Sequence, residues 1–261
     1  TSELHFHLYW NAWRDRRSTF LKERALNNSV RQRSDDFSLF DVVALSYRRE
    51  PEREREQTTM VDLLPSIRFI APDDGNADDR TVMAVSLPEP VGPGESVLVE
   101  ARWTARVPRP FARTGVIGDF YFVAQWFPKL GVLEDDGWNC HQFHAATEFF
   151  SDYGVYDVSL TVPSTWVIGA TGVERTRTKN DDGTVTHRYY QEDVHDFAWT
   201  TSPKLRESTA TFEPAGDQSA QRRVTLRLLL QPEHDGHAER HPQAARPALR
   251  YFSEWFGPYP Y

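Results

Sequence analysis

The side chains best suited to bind a metal or to act as nucleophiles are nine histidines and one cysteine, in a sequence of 261 residues. Cys140, His141 and His144 form a compact Cys-His-x-x-His group. Thiolate and imidazole are ligands that zinc accepts, so this group is a candidate metal site. Spacing alone does not supply the geometry that a metal needs, and we favour a structural interpretation of the three side chains.

Two further pairs of histidines have spacings that metal sites also use. His5 and His7 lie two residues apart on a predicted strand, so that both rings share one face. No third ligand accompanies them, and the neighbouring Tyr9 and Trp10 favour packing over metal binding.

His237 and His241 would lie on one face of a helix. The zinc motif His-Glu-x-x-His needs its Glu directly after the first His, where it acts as a general base. Here Glu239 stands two residues after His237, which is about 200° around a helix. Pro242 is expected to end any helix at this point, so we interpret the segment as polar and without a metal.

The sequence shows no complete active site, since it contains neither a Gly-x-Ser-x-Gly elbow nor a glycine-rich phosphate loop. The formal net charge is −8, which disfavours nucleic acid as a partner. A single cysteine excludes an intrachain disulfide and any multi-cysteine metal centre. No window approaches the ~18 apolar residues of a transmembrane helix.

Alternation of apolar and polar residues dominates the chain and predicts strands with one buried face and one solvent-exposed face. The clearest runs are residues 97–107, 156–162 and 224–230. Two further β-rich runs, Trp166–Thr178 and Thr184–Gln191, flank Asp182-Gly183, which predicts a tight hairpin.

Helical signals are few. Residues 11–24 are charged and predict a turn or a short helix. Pro247–Phe256 predicts a helix with Pro247 in its first turn, an apolar stripe on one face and Gly257 at its end. The pattern predicts a mainly antiparallel β protein that closes with one short C-terminal helix.

Four stretches together resemble a known family. They are Leu4–Asn11 (LHFHLYWN), Phe120–Leu130 (FYFVAQWFPKL), Glu148–Gly172 (which begins EFFSDYGVYDVSLTVP), and His195–Trp199 (HDFAW) with the closing Phe256–Tyr261 (FGPYPY). In this order they are similar to the N-terminal β domain of the M1 zinc metallopeptidases, the relatives of aminopeptidase N and leukotriene A4 hydrolase. The opening stretch resembles the bacterial branch of that family.

The resemblance implies a large curved antiparallel sheet with a β-sandwich, followed by a catalytic domain in cis. Residues 1–235 would be the β domain, incomplete at its start, and 236–261 a linker and helix leading into that catalytic domain. Because the sequence opens at Thr1 and stops at Tyr261, we expect a piece cut from a longer protein at both ends. The compartment of that protein stays open between periplasmic, membrane-anchored and cytoplasmic.

The family's activity is the removal of N-terminal residues from peptides by zinc-assisted hydrolysis, with a Glu as base. The zinc motif His-Glu-x-x-His and the strand that grips the substrate N-terminus do not occur in this sequence. The resemblance therefore implies a non-catalytic segment that holds no cofactor itself, shapes the substrate pocket and packs on a zinc-binding domain.

In the family, this domain lends one Gln or Glu to the pocket for the free amine of the substrate. The usual Gln or Glu upstream of Arg-x-x-Phe-Pro is altered here, because Gln125-Trp-Phe-Pro is shorter and has no Arg. Gln125 is the best candidate for the substrate-facing residue, and Glu148 and Asp196 are weaker ones. The competing interpretation is that Gln125 only bonds neighbouring strands.

Two other functions compete with the peptidase interpretation. One is an M1-like scaffold or binding module without peptidase activity. The other is an unrelated β-sandwich that binds carbohydrate or protein through exposed tryptophans. We interpret Trp126, Trp138 and Trp166 as packing residues rather than as such a platform.

Overall fold

The computed structural model describes residues 1–27, 33–49, 59–110, 112–146, 149–214 and 223–261. Strands dominate these ranges, and in chain order they are β1 (Glu3–His7), β2 (Leu39–Arg49), β3 (Val61–Asp62), β4 (Ile67–Ile70), β5 (Val82–Ser86), β6 (Val97–Arg106), β7 (Gly115–Ile117), β8 (Phe120–Val123), β9 (Lys129–Leu130), β10 (Val132–Glu134), β11 (Gly137–Asn139), β12 (Gly154–Pro163), β13 (Val167–Ala170), β14 (Val173–Lys179), β15 (Thr184–Val194), β16 (Trp199–Ser202), β17 (Arg206–Phe212) and β18 (Val224–Leu230). The α-helices in the described ranges are α1 (Thr19–Asn27) and α2 (Arg240–Phe256). Short 3₁₀ turns lie at Tyr9–Trp13, Ser34–Asp36, Leu64–Ser66 and Pro232–His237.

The strands form six small sheets whose pairings are all antiparallel. Two sheets have four strands, in the orders β4-β5-β1-β9 and β13-β16-β8-β7. Two have three strands, β3-β2-β6 and β12-β15-β14, and the pairs β10-β11 and β17-β18 complete the set. The mainly β fold class predicted from the sequence is confirmed.

The three alternating runs predicted as strands correspond to β6, β12 and β18. Along β12 the even-numbered side chains from Tyr156 to Val162 are buried or half-buried, whereas the residues between them are exposed. The predicted hairpin joins β14 to β15, and Gly183 adopts φ +82 in its turn. Period-two patterning identified these strands because it depends only on which face is wet.

The β-rich run predicted over Trp166–Thr178 contains two strands. It divides into β13 and β14, which belong to different sheets. Gly172 lies at the break with φ +82, and a Cβ built there would come within 2.7 Å of the Tyr190 carbonyl oxygen. Only glycine fits this left-handed turn, so the chain leaves one sheet and enters the next at that residue.

The C-terminal helix exists but starts earlier than predicted. It begins at Arg240, so Pro242 falls in its first turn instead of ending a helix, and Pro247 lies inside it. A proline in the first turn removes an N–H that has no intrahelical partner, which explains why the helix tolerates Pro242. The short predicted helix within 11–24 corresponds to α1, which begins at Thr19.

Two apolar cores lie side by side. The larger is centred on residues of less than a tenth exposure such as Trp10, Trp13 and Phe40, and the smaller on Tyr189 and Phe197. Trp126 and Trp199 are half-buried and pack against both cores. These two indoles therefore mark the boundary at which the two halves of the molecule meet.

No helix in the described ranges is both long and apolar enough to cross a membrane.

Candidate functional site

Gln125 lies in the segment that carries the chain from one four-stranded sheet to the other. Residues 124–128 connect β8 to β9, and these strands belong to different sheets. Two indoles fix the backbone of this segment: Trp10 Nε1 donates to the Ala124 carbonyl at 2.9 Å, and Trp103 Nε1 donates to the Trp126 carbonyl at 3.1 Å. These two bonds hold the segment at the boundary of the two cores.

The backbone of Gln125 is in the left-handed region, with φ +50. Three non-glycine residues in the described ranges have positive φ, and the other two, Arg113 and Asp193, lie outside the buried core. Gln125 is only 8% exposed. Such a conformation costs on the order of 1–3 kcal/mol and persists only where the surroundings enforce it, often at functional sites.

The side-chain amide of Gln125 has one satisfied end and one unsatisfied end. Its Nε2 donates to Asp196 Oδ2 at 2.9 Å. Its Oε1 is buried and accepts no hydrogen bond from the described residues. Other buried side-chain atoms, such as His187 Nε2 and Asn11 Oδ1, also have no partner among the described residues, and a bound water or a ligand would satisfy each of them.

The other oxygen of Asp196 is also occupied. Oδ1 accepts from the Phe197 backbone N–H at 2.8 Å and lies 3.2 Å from Lys129 Nζ. The Lys129 ammonium donates to the His195 carbonyl as well. The Lys129 side chain is 5% exposed and that of Asp196 is 15% exposed.

Burial lowers the pKa of Lys129, and the neighbouring Asp196 carboxylate opposes that shift. The ion pair therefore brings one positive and one negative charge into a nearly dry site, where each depends on the other. The acceptor left unpaired beside this ion pair is the neutral carbonyl-type Oε1 of Gln125, which has almost no exposed area in this structure. Such an atom can accept a hydrogen bond from an ammonium or another N–H donor.

The structure brings Gln125 and Asp196 together, although 71 residues separate them. Glu148, the third candidate, lies outside the described residues.

The sequence did not single out Lys129, because this residue appeared only as one letter of the stretch FYFVAQWFPKL. The signal that could have identified it is a lone lysine directly after Pro128, followed by the apolar run that begins at Leu130.

The three side chains of the candidate metal group, Cys140, His141 and His144, do not point toward one common position. Cys140 is buried and its Sγ lies 3.6 Å from His7 Nδ1, whereas the other two side chains turn toward Asp73. Burial raises the pKa of the Cys140 thiol to about 12 and lowers the pKa of His7 to about 4. Thiol and imidazole are therefore both neutral near pH 7, and His7 also stacks on Tyr9 at 4.7 Å as the packing interpretation predicted.

His144 lies between two carboxylates. Its Nδ1 is 2.7 Å from Glu23 Oε1, and its Nε2 is 3.1 Å from Asp73 Oδ2. Since a carboxylate only accepts, both ring nitrogens must carry protons to bond in this way. Partial burial lowers the pKa of His144, but the bonds with Glu23 and Asp73 outweigh burial and raise it above its ordinary value. His144 thus ties α1 to the turn that contains Asp73.

Within the described ranges, no three His, Cys, Asp or Glu side chains are grouped so that they could hold a metal ion. The His5 ring stacks on Trp138 at 5.2 Å and bonds Glu3. The His237 and His241 rings lie 6.3 Å apart across the start of α2.

Large aromatic side chains are exposed along the end of α2 and the tail that follows. We call Tyr251, Phe252, Trp255, Phe256 and Tyr259 the aromatic surface, and their exposed fractions run from 42% to 81%. Of the predicted apolar stripe, Phe252 and Phe256 are therefore exposed, whereas Leu249 is half-buried. An apolar surface of this kind is typical of a face that another structure covers.

No family model matches the sequence, and no curated protein matches it. Solved structures do. A point mutant of an M1 zinc metallopeptidase from Deinococcus radiodurans matches with a TM-score of 0.50 and 20% identity, over 86% of this chain and 46% of that one. Aminopeptidase A from Legionella pneumophila, in complex with aspartic acid, matches with a TM-score of 0.51 and 11% identity, over 88% of this chain and 23% of that one.

The chain spans about half the length of the Deinococcus protein. At these identities the likeness concerns the fold. It shows that the chain has the fold of the β-rich N-terminal domain of M1 aminopeptidases, as the four sequence stretches predicted.

The buried ion pair leads to a prediction about stability. Lys129→Met leaves the Asp196 carboxylate buried without its partner, and Asp196→Asn does the same to the Lys129 ammonium, so each single variant should lose about 3–5 kcal/mol. The double variant removes both charges and should recover most of that loss. Urea unfolding followed by tryptophan fluorescence measures the free energies.

The matched control is the exposed pair of Lys204 and Asp119, whose charged atoms also lie 3.2 Å apart but whose side chains are 65% and 54% exposed. Lys204→Met should change stability by about 0–1 kcal/mol. Equal losses at the buried and exposed lysines would contradict the dependence of each buried charge on its partner.

The position of His144 leads to a prediction about pH. A raised pKa in the folded state contributes stability that is fully present below the ordinary value of 6.5 and is lost as the pH rises through the folded value. His144→Gln should therefore cost more stability at about pH 5.5 than at about pH 9. In a Glu23→Gln background the difference between the two pH values should shrink. The same loss at both pH values would show that His144 is not charged in the folded protein.

Proposed function

We propose that this chain is the N-terminal β domain of a zinc-dependent aminopeptidase of the M1 type. The observation that carries the proposal is the fold, which solved peptidases share over 86% and 88% of this chain. The unpaired Oε1 of Gln125 and its left-handed backbone add a position that a ligand would complete. The segment would be non-catalytic in itself.

Gln125 would accept a hydrogen bond from the free ammonium of a peptide substrate. An ammonium is a donor without acceptor capacity, so it matches a lone amide oxygen. The competing interpretation, that Gln125 only bonds neighbouring strands, explains the contact of Nε2 with Asp196. It supplies no hydrogen-bond donor for the buried Oε1.

The aromatic surface would pack against the catalytic domain in cis. It lies on α2 and on the residues that follow this helix, where the chain runs on to Tyr261. The relative from Deinococcus radiodurans is about twice as long as the part that this chain matches. A domain that follows Tyr261 would therefore meet these exposed rings first, and covering them would remove apolar area from water.

Zinc would bind in that catalytic domain. The candidate ligands of this chain do not fit the ion, since Cys140 turns to His7 while His141 and His144 turn to Asp73. When bound, zinc would supply the activation of water for attack on the peptide bond. The part of the reaction that falls to this chain is the recognition of the substrate amine.

The proposal is tested first by reading the gene past the codon for Tyr261. Within roughly the next hundred codons we expect His-Glu-x-x-His followed by a further Glu ligand. The protein made from the whole gene should then bind zinc and release N-terminal residues from peptides. A reading frame that continues without this motif would contradict the peptidase proposal and leave a scaffold or binding module in its place.

The proposed contact of Gln125 predicts a selective loss of amine recognition. With an amino acid amide and its desamino analogue as competitive inhibitors of the whole enzyme, Gln125→Leu should raise the Ki of the first by about ten- to hundredfold, as expected for a hydrogen bond to a charged group. The Ki of the second should not change. Gln191→Leu in β15 is the control and should alter neither value. A Gln125→Leu enzyme that still discriminates between the two inhibitors would refute the contact.

A further inference from the structure

We infer that Asp196 is a positioning residue, which fixes the Gln125 side-chain amide in the one orientation that can receive an ammonium. The inference rests on the proposed function, because it concerns the residue proposed to bind the substrate amine. It adds a residue that acts through Gln125 and a reason for the selectivity of the site.

The two ends of the Gln125 amide are chemically opposite. A side-chain amide has an NH₂ donor at one end and a carbonyl acceptor at the other, and rotation by 180° exchanges them. Asp196 Oδ2 lies 2.9 Å from one end. A carboxylate only accepts, so this end must be Nε2. The carbonyl Oε1 is then the end without a partner among the described residues, and a ligand reaches it once the side chains that cover it move apart.

The Asp196 carboxylate is itself held in place. Its Oδ1 is held by the Phe197 N–H at 2.8 Å and by the Lys129 ammonium at 3.2 Å. Lys129 is in turn held by the His195 carbonyl, which also accepts from Ser151 Oγ at 2.8 Å. The carboxylate cannot turn away from Gln125 without losing these donors.

The fixed amide determines which ligand groups the site accepts. It presents an acceptor and rejects any group that must itself accept there, such as a carboxylate or the carbonyl oxygen of an acylated amine. The negative charge of Asp196 is balanced by Lys129 within the site. Selectivity for a free amine therefore comes from the direction of one amide and not from an excess of negative charge.

Replacing Asp196 by asparagine should reverse the amide. The Phe197 N–H still requires an acceptor, so the introduced asparagine would place its oxygen there and its NH₂ toward Gln125. Gln125 would then turn its carbonyl to that NH₂ and present its own NH₂ to the substrate. Two donors would face each other, and amine binding would be lost although Gln125 is intact.

The experiment uses the whole enzyme with the same two inhibitors, an amino acid amide and its desamino analogue. Asp196→Asn alone would leave the Lys129 ammonium buried without a carboxylate partner. The variant designed to abolish amine recognition is therefore the double substitution Lys129→Met with Asp196→Asn. It should raise the Ki of the amino acid amide by about ten- to hundredfold, as Gln125→Leu does, and leave the desamino analogue unaffected. Combined with Gln125→Leu it should add nothing further, since both changes act on one contact.

Exchange of the two groups provides the rescue. Gln125→Glu with Asp196→Asn keeps one carboxylate, one amide and Lys129, with the positions exchanged. Both oxygens of the introduced glutamate are acceptors, so its direction no longer matters: one accepts from the asparagine NH₂ and the other faces the ligand. This variant should regain the discrimination between the two inhibitors that the Lys129→Met, Asp196→Asn variant loses.

The outcomes distinguish failure of the substrate contact from failure of the positioning role. If Gln125→Leu leaves discrimination intact, the proposed substrate contact fails, and the positioning role falls with it. If Gln125→Leu abolishes discrimination but the stable Lys129→Met, Asp196→Asn variant keeps it, then Asp196 is structural only and this inference is overturned alone. Failure of the exchange variant to restore discrimination, with its fold intact by circular dichroism, would likewise overturn it.

A spectroscopic measurement on the 261-residue chain tests the geometry without activity. In a ¹H–¹⁵N spectrum the Gln125 side-chain NH₂ is assigned by its absence in Gln125→Leu. One of its protons should lie downfield and exchange slowly because it is bonded to Asp196. Both features should disappear in the Lys129→Met, Asp196→Asn variant; their persistence there would show that Asp196 does not orient the amide.

Discussion

A lysine ammonium buried to 5% exposure requires an opposite charge beside it, and much of this molecule follows from that requirement. Lys129 opens β9 in one four-stranded sheet, and Asp196 precedes β16 in the other. Their contact therefore joins two sheets and two cores through one ion pair. The same carboxylate has a second oxygen, and that oxygen fixes Gln125. The candidate site is thus a consequence of how the two halves are joined.

Hydrogen bonds from tryptophan indoles also stabilise the region where the two four-stranded sheets meet. Trp10 and Trp103 donate to the backbone on either side of Gln125, and Trp126 Nε1 donates to the Phe197 carbonyl at 3.0 Å. Each indole fills apolar space with its rings and satisfies a buried carbonyl with its N–H. These tryptophans are therefore structural, as the packing interpretation of Trp126 predicted, and the backbone that they hold on either side of Gln125 has φ +50 at that residue.

Local patterns in the sequence predicted the strands well, because alternation along β6, β12 and β18 depends only on neighbouring residues. These patterns predicted the structure less reliably where one residue type can occupy two different structural positions. Pro242 can end a helix or sit in its first turn, and only the contacts of α2 decide between these. The pairing of Gln125 with Asp196 spans 71 residues, so no local pattern contains it. The family resemblance located Gln125, but the importance of Lys129 became visible only in three dimensions.

The distances along the chain within this junction also bear on how the protein folds. Trp10 reaches a carbonyl 114 residues away, and Asp196 reaches an amide 71 residues away. Contacts of such sequence separation close large loops, and proteins rich in them fold slowly. The orientation of Gln125 can be established only after both sheets and the strands that connect them are in place. A chain in which Asp196 holds the Gln125 amide has therefore completed its topology, and a folding intermediate with one sheet formed would lack this contact.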